Sequence, residues 1–134
     1  MKIFLGILAF IFLFSCQNSN KKINQNIQKD LFGTELDYSE IKSIDIVEIG
    51  HPMIGGIVSS KTLTEIQKEL FIKKLKVLEL DGMYKCGSKY VVRLNLSKDT
   101  IRLKICGEKI SNRHSDIYYC LPNNAKMISD IIVD

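Results

Sequence analysis

Between Tyr90 and Cys106 the chain alternates apolar and polar side chains twice over, with a polar break at residues 97–100. Successive strand residues point to opposite faces, so this pattern predicts a β-hairpin. Setting residue 97 opposite residue 100 pairs Leu96 with Ile101, Leu94 with Leu103 and Val92 with Ile105, all on one face. Arg93, Asn95, Arg102 and Lys104 then share the other. A slip of one residue would drive the charges into the core, which strongly specifies the faces. A chain with this hairpin must build a sheet with one apolar side and cover that side.

The flanking segments supply further strands and the cover. Residues 44–49 are rich in Ile and Val and end at Gly50; residues 54–59 follow across the turn His51, Pro52, Met53. Gly55 and Gly56 weaken that second strand and fit a bulge or a close backbone approach. Thr62 stands three residues before Glu65, the spacing of a reciprocal helix cap, and Leu63, Ile66, Leu70 and Phe71 then form an apolar helical stripe. Residues 75–80 fit either a longer helix or another strand ahead of an Asp81-Gly82 turn. Residues 117–121 read as a short strand stopped by Pro122, with Asn123 placed to cap a last helix carrying Met127, Ile128, Ile131 and Ile132. The expected class is α+β: an antiparallel sheet of about four to five strands packed against one or two helices, in a single domain over residues 39–134.

The N-terminus sets a different constraint. Residues 3–14 hold no charged or strongly polar side chain, and Lys2 precedes them. At ~1.5 Å per residue such a run reaches ~18 Å, short of the ~30 Å that a spanning helix must cross, and it reads as a signal-peptide core. Leu13, Ser15 and Cys16 follow it. This ending resembles the lipobox of bacterial lipoproteins, with Leu three residues before an obligatory Cys and a small residue just before it; Phe14 is bulkier than usual. The resemblance covers residues 1–16 only. It implies cleavage after Ser15 by signal peptidase II, lipidation of Cys16, and a membrane partner reached through an N-terminal lipid anchor. Two or three acyl chains make such an anchor durable where one holds marginally. Gln17 stands where the family's inner-membrane retention signal has Asp, so the resemblance implies a bacterial envelope address at the outer membrane, facing the periplasm.

Removal of residues 1–15 takes away Lys2 and no acid, leaving 119 residues with a formal charge of +3. That charge is mild, and the basic pairs form no continuous stripe, so no nucleic acid partner is expected. Residues 16–38 open with a polar stretch that reads as a lipidated, mostly flexible tether. Ile23, Ile27 and Leu31, at spacing four, suit a short amphipathic turn on the domain or on lipid.

Cys86, Cys106 and Cys120 remain beyond Cys16, and an oxidising compartment favours a structural disulfide. The hairpin faces put Cys106 outward beside Arg102 and Lys104, and Cys120 outward beside Tyr118. The expected bridge is Cys106 to Cys120, provided their strands are neighbours, with Cys86 bonded to either as the alternative. With His114 these cysteines nominally compose a zinc set, but they lack the close ligand pairs such sites use, so no metal and no cofactor is expected. Ser39 with Lys42 and Ser19 with Lys22 match a two-letter catalytic motif without its companions. His114, Ser115 and Asp116 are consecutive and point different ways, which excludes a relay. No catalytic residue is assigned. The expected contact surfaces are His51 and Met53 in the turn, Arg93, Arg102 and Lys104 on the outer face, and Arg113 and His114 in the polar loop. These readings point to a membrane-anchored envelope lipoprotein acting as a non-catalytic binding module of inhibitor or immunity type, with a protein partner in the envelope. The alternatives are an envelope-maintenance lipoprotein and a small hydrolase.

Overall fold

The computed structural model describes residues 25–50 and 55–132. Cys16, the expected signal peptide and the first residues of the tether lie outside the described residues, as do His51 and Met53. The strands are β1 (Ser43–Ile49), β2 (Ile57–Thr62), β3 (Glu79–Met83), β4 (Tyr90–Asn95), β5 (Thr100–Cys106), β6 (Lys109–Asn112) and β7 (Ile117–Cys120). They form one antiparallel sheet of seven strands, ordered β2-β1-β4-β5-β6-β7-β3. The class is α+β as expected, with more strands than the four to five anticipated. The additions are β6, a four-residue segment too short to show alternation, and β3, which begins within residues 75–80, where a strand was one of two open readings, and runs on through the expected Asp81-Gly82 turn.

The central hairpin keeps its faces but not its register. Leu94 faces Ile101, Val92 faces Leu103 and Tyr90 faces Ile105, two residues from the expected pairing. Leu96 N donates to Asp99 O at 2.8 Å, which closes the turn over Ser97 and Lys98. A shift of two returns every side chain to its own face, so the hydrophobic pattern tolerates it and the turn decides. Ile44, Ile46, Val92, Leu94, Leu103, Ile105, Ile110 and Tyr119 join one buried cluster.

Helices cover that cluster. Residues 25–32 form α1, which buries Ile27, Leu31 and Phe32 and ends at Gly33, whose φ of 75° and N–H bond to Lys29 O at 2.8 Å make a left-handed helix stop. Residues 25–38, expected in the tether, thus add α1 and the buried Leu36 to the domain. Their apolar side chains bury enough surface to offset the entropy of ordering the segment. Helix α2 (Glu65–Leu75) is capped by Thr64 rather than Thr62: Thr64 Oγ1 accepts from Gln67 N at 3.2 Å and Gln67 Oε1 accepts from Thr64 N at 3.0 Å. Thr62 remains in β2, donating to Asp45 Oδ1 at 2.7 Å. Phe71 and Leu75 are the buried stripe, and Ile66 is 81% exposed because only one helical face meets the sheet. Asp81 and Gly82 lie inside β3, where Asp81 is the extra residue of a bulge, and a Cβ added at Gly82 (φ 157°) would lie only 3.1–3.3 Å from the Tyr84 side chain. The last helix, α3 (Ser129–Ile132), is a single turn. Asn123 does not cap it; it takes φ 59° in a short 3-10 turn after Leu121. Met127, Ile128 and Ile131 are buried as the stripe predicted. No helix among the described residues is long and apolar enough to cross a membrane.

Candidate functional site

The outer sheet face carries the polar half of the hairpin, and its two ends are built differently. At the β1-β4-β5 end, antiparallel register puts Arg93 directly opposite Arg102, and Val47 opposite Val91. Arg113 reaches the same place from the turn after β6. That turn is held by Asn112, whose Nδ2 donates to Leu31 O at 2.8 Å and whose Oδ1 accepts from His114 N at 3.0 Å. Together Val47, Ile49, Gly56, Ile57, Val91, Arg93, Arg102 and Arg113 line an open depression of about 490 Å³. The chain has 19 basic side chains, only three of them arginines, and all three stand here.

None of these guanidiniums has an ion pair among the described residues. Arg93 Nε is shut off from solvent with no hydrogen-bond partner. Asp45, opposite Arg93 across β1 and β4, has its oxygens engaged elsewhere, Oδ1 with Thr62 and Oδ2 with Asn95 Nδ2 at 2.8 Å. Like charges directly opposite on a sheet are destabilising, and Asp45, on the other side of Arg93, offsets part of that repulsion without forming an ion pair with it. The floor is apolar, with Val47 fully buried beneath the arginines.

At the β5-β6-β7-β3 end the cations are compensated. Lys104 Nζ lies 3.2 Å from Asp116 Oδ1 and 5.5 Å from the Tyr118 ring centroid. Lys109 Nζ lies 2.6 Å from Asp81 Oδ2 and 3.9 Å from the Tyr84 ring centroid. The Lys109 hydrogen bond holds the Asp81 carboxyl below its usual range, with Tyr84 adding to it. The same bond raises the Lys109 ammonium. Here too lies the disulfide, which joins Cys86 to Cys106 and not Cys106 to Cys120. Strand β6 runs between β5 and β7, so Cys106 and Cys120 sit two strand spacings apart, ~10 Å, beyond the reach of a disulfide. Cys86, in the connection from β3 to β4, supplies the partner instead. Cys120 stays a thiol, its pKa raised first by burial and then by the Asp81 charge.

Of the residues expected to form contact surfaces, Arg93, Arg102 and Arg113 converge. His114 lines an adjoining hollow of about 220 Å³ with Arg102, Arg113, Asp99 and Asn112. Lys104 does not join them, because Asp116 and Tyr118 hold it at the compensated end. The apolar floor was not anticipated, although Val47 and Ile49, odd-numbered on a strand whose Ile44 and Ile46 face inward, carried the signal. The described lining, three guanidiniums over Val and Ile side chains, is suited to contact with negative charge beside apolar surface. Among the described residues, no three His, Cys, Asp or Glu side chains group to hold a metal ion. Comparison with protein families, curated proteins and solved structures finds no match to this chain.

Proposed function

We propose that this chain is a lipid-anchored lipoprotein of the bacterial envelope, held by acyl chains on Cys16, whose domain is a non-catalytic binding module. The lipobox-like ending at residues 13–16 supports the anchor. One observation carries the binding role: all three arginines surround one apolar-floored depression without counter-ions among the described residues. Guanidinium forks match oxyanions bidentately and are frequent in the residues that dominate interfaces. Facing like charges cost the fold stability, and an anionic partner outside the chain would offset that cost. The partner in this reading is an envelope protein with an acidic surface, contacted in the manner of an inhibitor.

The test uses the tagged full chain in its own envelope. Chemical crosslinking and recovery should yield a stoichiometric partner, lost when Arg93, Arg102 and Arg113 are all changed to Gln. Fatty-acid labelling should mark wild type and vanish in Cys16→Ser. Recovery of the same partner by the triple variant would remove the arginines from the reading, and an unlabelled wild type would remove the anchor.

A further inference from the structure

We infer that the depression at the β1-β4-β5 end is a binding site for a small amphiphilic oxyanion: a phosphate or carboxylate head on an apolar body. This rests on the binding-module reading for the place of the site and goes beyond it in the occupant, a small anion in place of the partner protein's acidic side chain. Three features select this chemistry.

The first is size. At about 490 Å³ the depression falls within the range of small-molecule sites, ~300–1,000 Å³, and a single acidic side chain from a protein would leave most of it empty. The second is charge. Arg93 and Arg102 stand opposite each other on adjacent strands, Arg113 closes from the turn, and no acid among the described residues lines the cavity. A planar fork binds an oxyanion through two parallel N–H donors, which a lysine cannot reproduce, and the chain places its arginines here while the ion-paired cations among the described residues are lysines. With three positive charges at the rim, a doubly charged phosphate is favoured over a singly charged carboxylate. The third is the floor. Val47, Ile49, Ile57 and Val91 offer apolar surface beside the guanidiniums, and Ile57 is 58% exposed and ready to be covered. A bare inorganic anion would leave that surface wet.

Isothermal titration of the full chain in neutral detergent tests this with five probes: phenyl phosphate, benzoate, inorganic phosphate, benzyl alcohol and benzylammonium. Phenyl phosphate should bind tightest and benzoate several-fold more weakly, with no heat from benzyl alcohol or benzylammonium. Loss of one charge-assisted contact should weaken phenyl phosphate about tenfold or more in Arg113→Gln and in the charge-preserving Arg102→Lys. Arg113 sits on an exposed turn, so its variant keeps the test decisive even if a change at the half-buried Arg93 upsets folding. Lys98→Gln, at the tip of the β4-β5 turn, should change nothing. Benzyl alcohol binding as well as phenyl phosphate, or unchanged affinity in both arginine variants, would overturn the site. Inorganic phosphate binding equally well would overturn the apolar half of the ligand. Failure of every probe, alongside arginine-dependent capture of a protein partner, would sink this inference and leave the binding-module reading standing, with the partner's acidic side chain as the occupant.

Discussion

The two ends of the outer sheet face are made from the same ingredients and spend them in opposite ways. At the β5-β6-β7-β3 end, Lys104 and Lys109 each have a carboxylate and an aromatic ring, and the Cys86–Cys106 bridge pins the incoming loop. At the β1-β4-β5 end, Arg93 faces Arg102, and neither has an ion pair among the described residues. The first end is organised for the fold itself. The second holds arginines without ion pairs among the described residues, around an open depression. In the binding-module reading proposed above, this difference in charge pairing is what separates a structural surface from a functional one.

The largest expected effect tests the pinned end. Replacing Cys86 and Cys106 by Ser should cost about 3 kcal/mol in urea unfolding, the chain-entropy value for a loop of this span, which covers a sequence separation of 20. Peptide mapping without reductant should recover Cys86 linked to Cys106 and Cys120 as a thiol. A Cys106–Cys120 peptide would contradict the strand order itself.

A pH series sharpens the contrast next. Asp81 is held below its ordinary 3.8, so its contribution is fully present above that value and is lost as pH falls through the lowered folded-state pKa. Lys109 is raised above 10.5, so its contribution is present below that value and is lost as pH climbs through the raised one. Asp81→Asn should flatten both limbs. Changing all three arginines to Gln should leave both limbs in place, and a pH profile altered by that variant would mean the two ends are coupled.

Smaller effects separate the ends by sign. Arg102→Gln relieves a facing like charge and should raise stability by about 0.2–1 kcal/mol while weakening anion binding. A clear loss of stability there would show that Arg102 serves the fold. Lys104→Gln should lower stability by less than about 1 kcal/mol, as surface ion pairs do, with no effect on phenyl phosphate affinity.

The legible parts of this molecule were those governed by local period. Val92, Leu94, Leu103 and Ile105 are buried and Arg93 and Arg102 face outward because strand side chains alternate, whichever residue forms the turn. The Met127, Ile128, Ile131 stripe was legible for the same kind of reason. Less legible was anything set by competition between neighbours. Thr62 and Thr64 both offer a hydroxyl three residues before a helix-compatible partner, and β2 claimed Thr62 through its bond to Asp45. Strand β6 is too short to show alternation, and β3 runs on through residues that read as a turn. Residues 25–38 read as tether because polar neighbours surround Ile27, Leu31, Phe32 and Leu36, and only the exposed apolar face of the sheet gives those four somewhere to go.

Sequence by itself determined the class of fold, the inward and outward faces of the central hairpin, and the presence of arginines on the outward one. Those follow from backbone geometry, which repeats every two residues in a strand and every three to four in a helix. Tertiary structure alone decided that β6 lies between β5 and β7, which broke the expected disulfide. It also brought Arg113 from a distant turn to Arg93 and Arg102. Strand order and loop convergence depend on how separate segments bury one another, and no repeat along the chain encodes which strangers become neighbours.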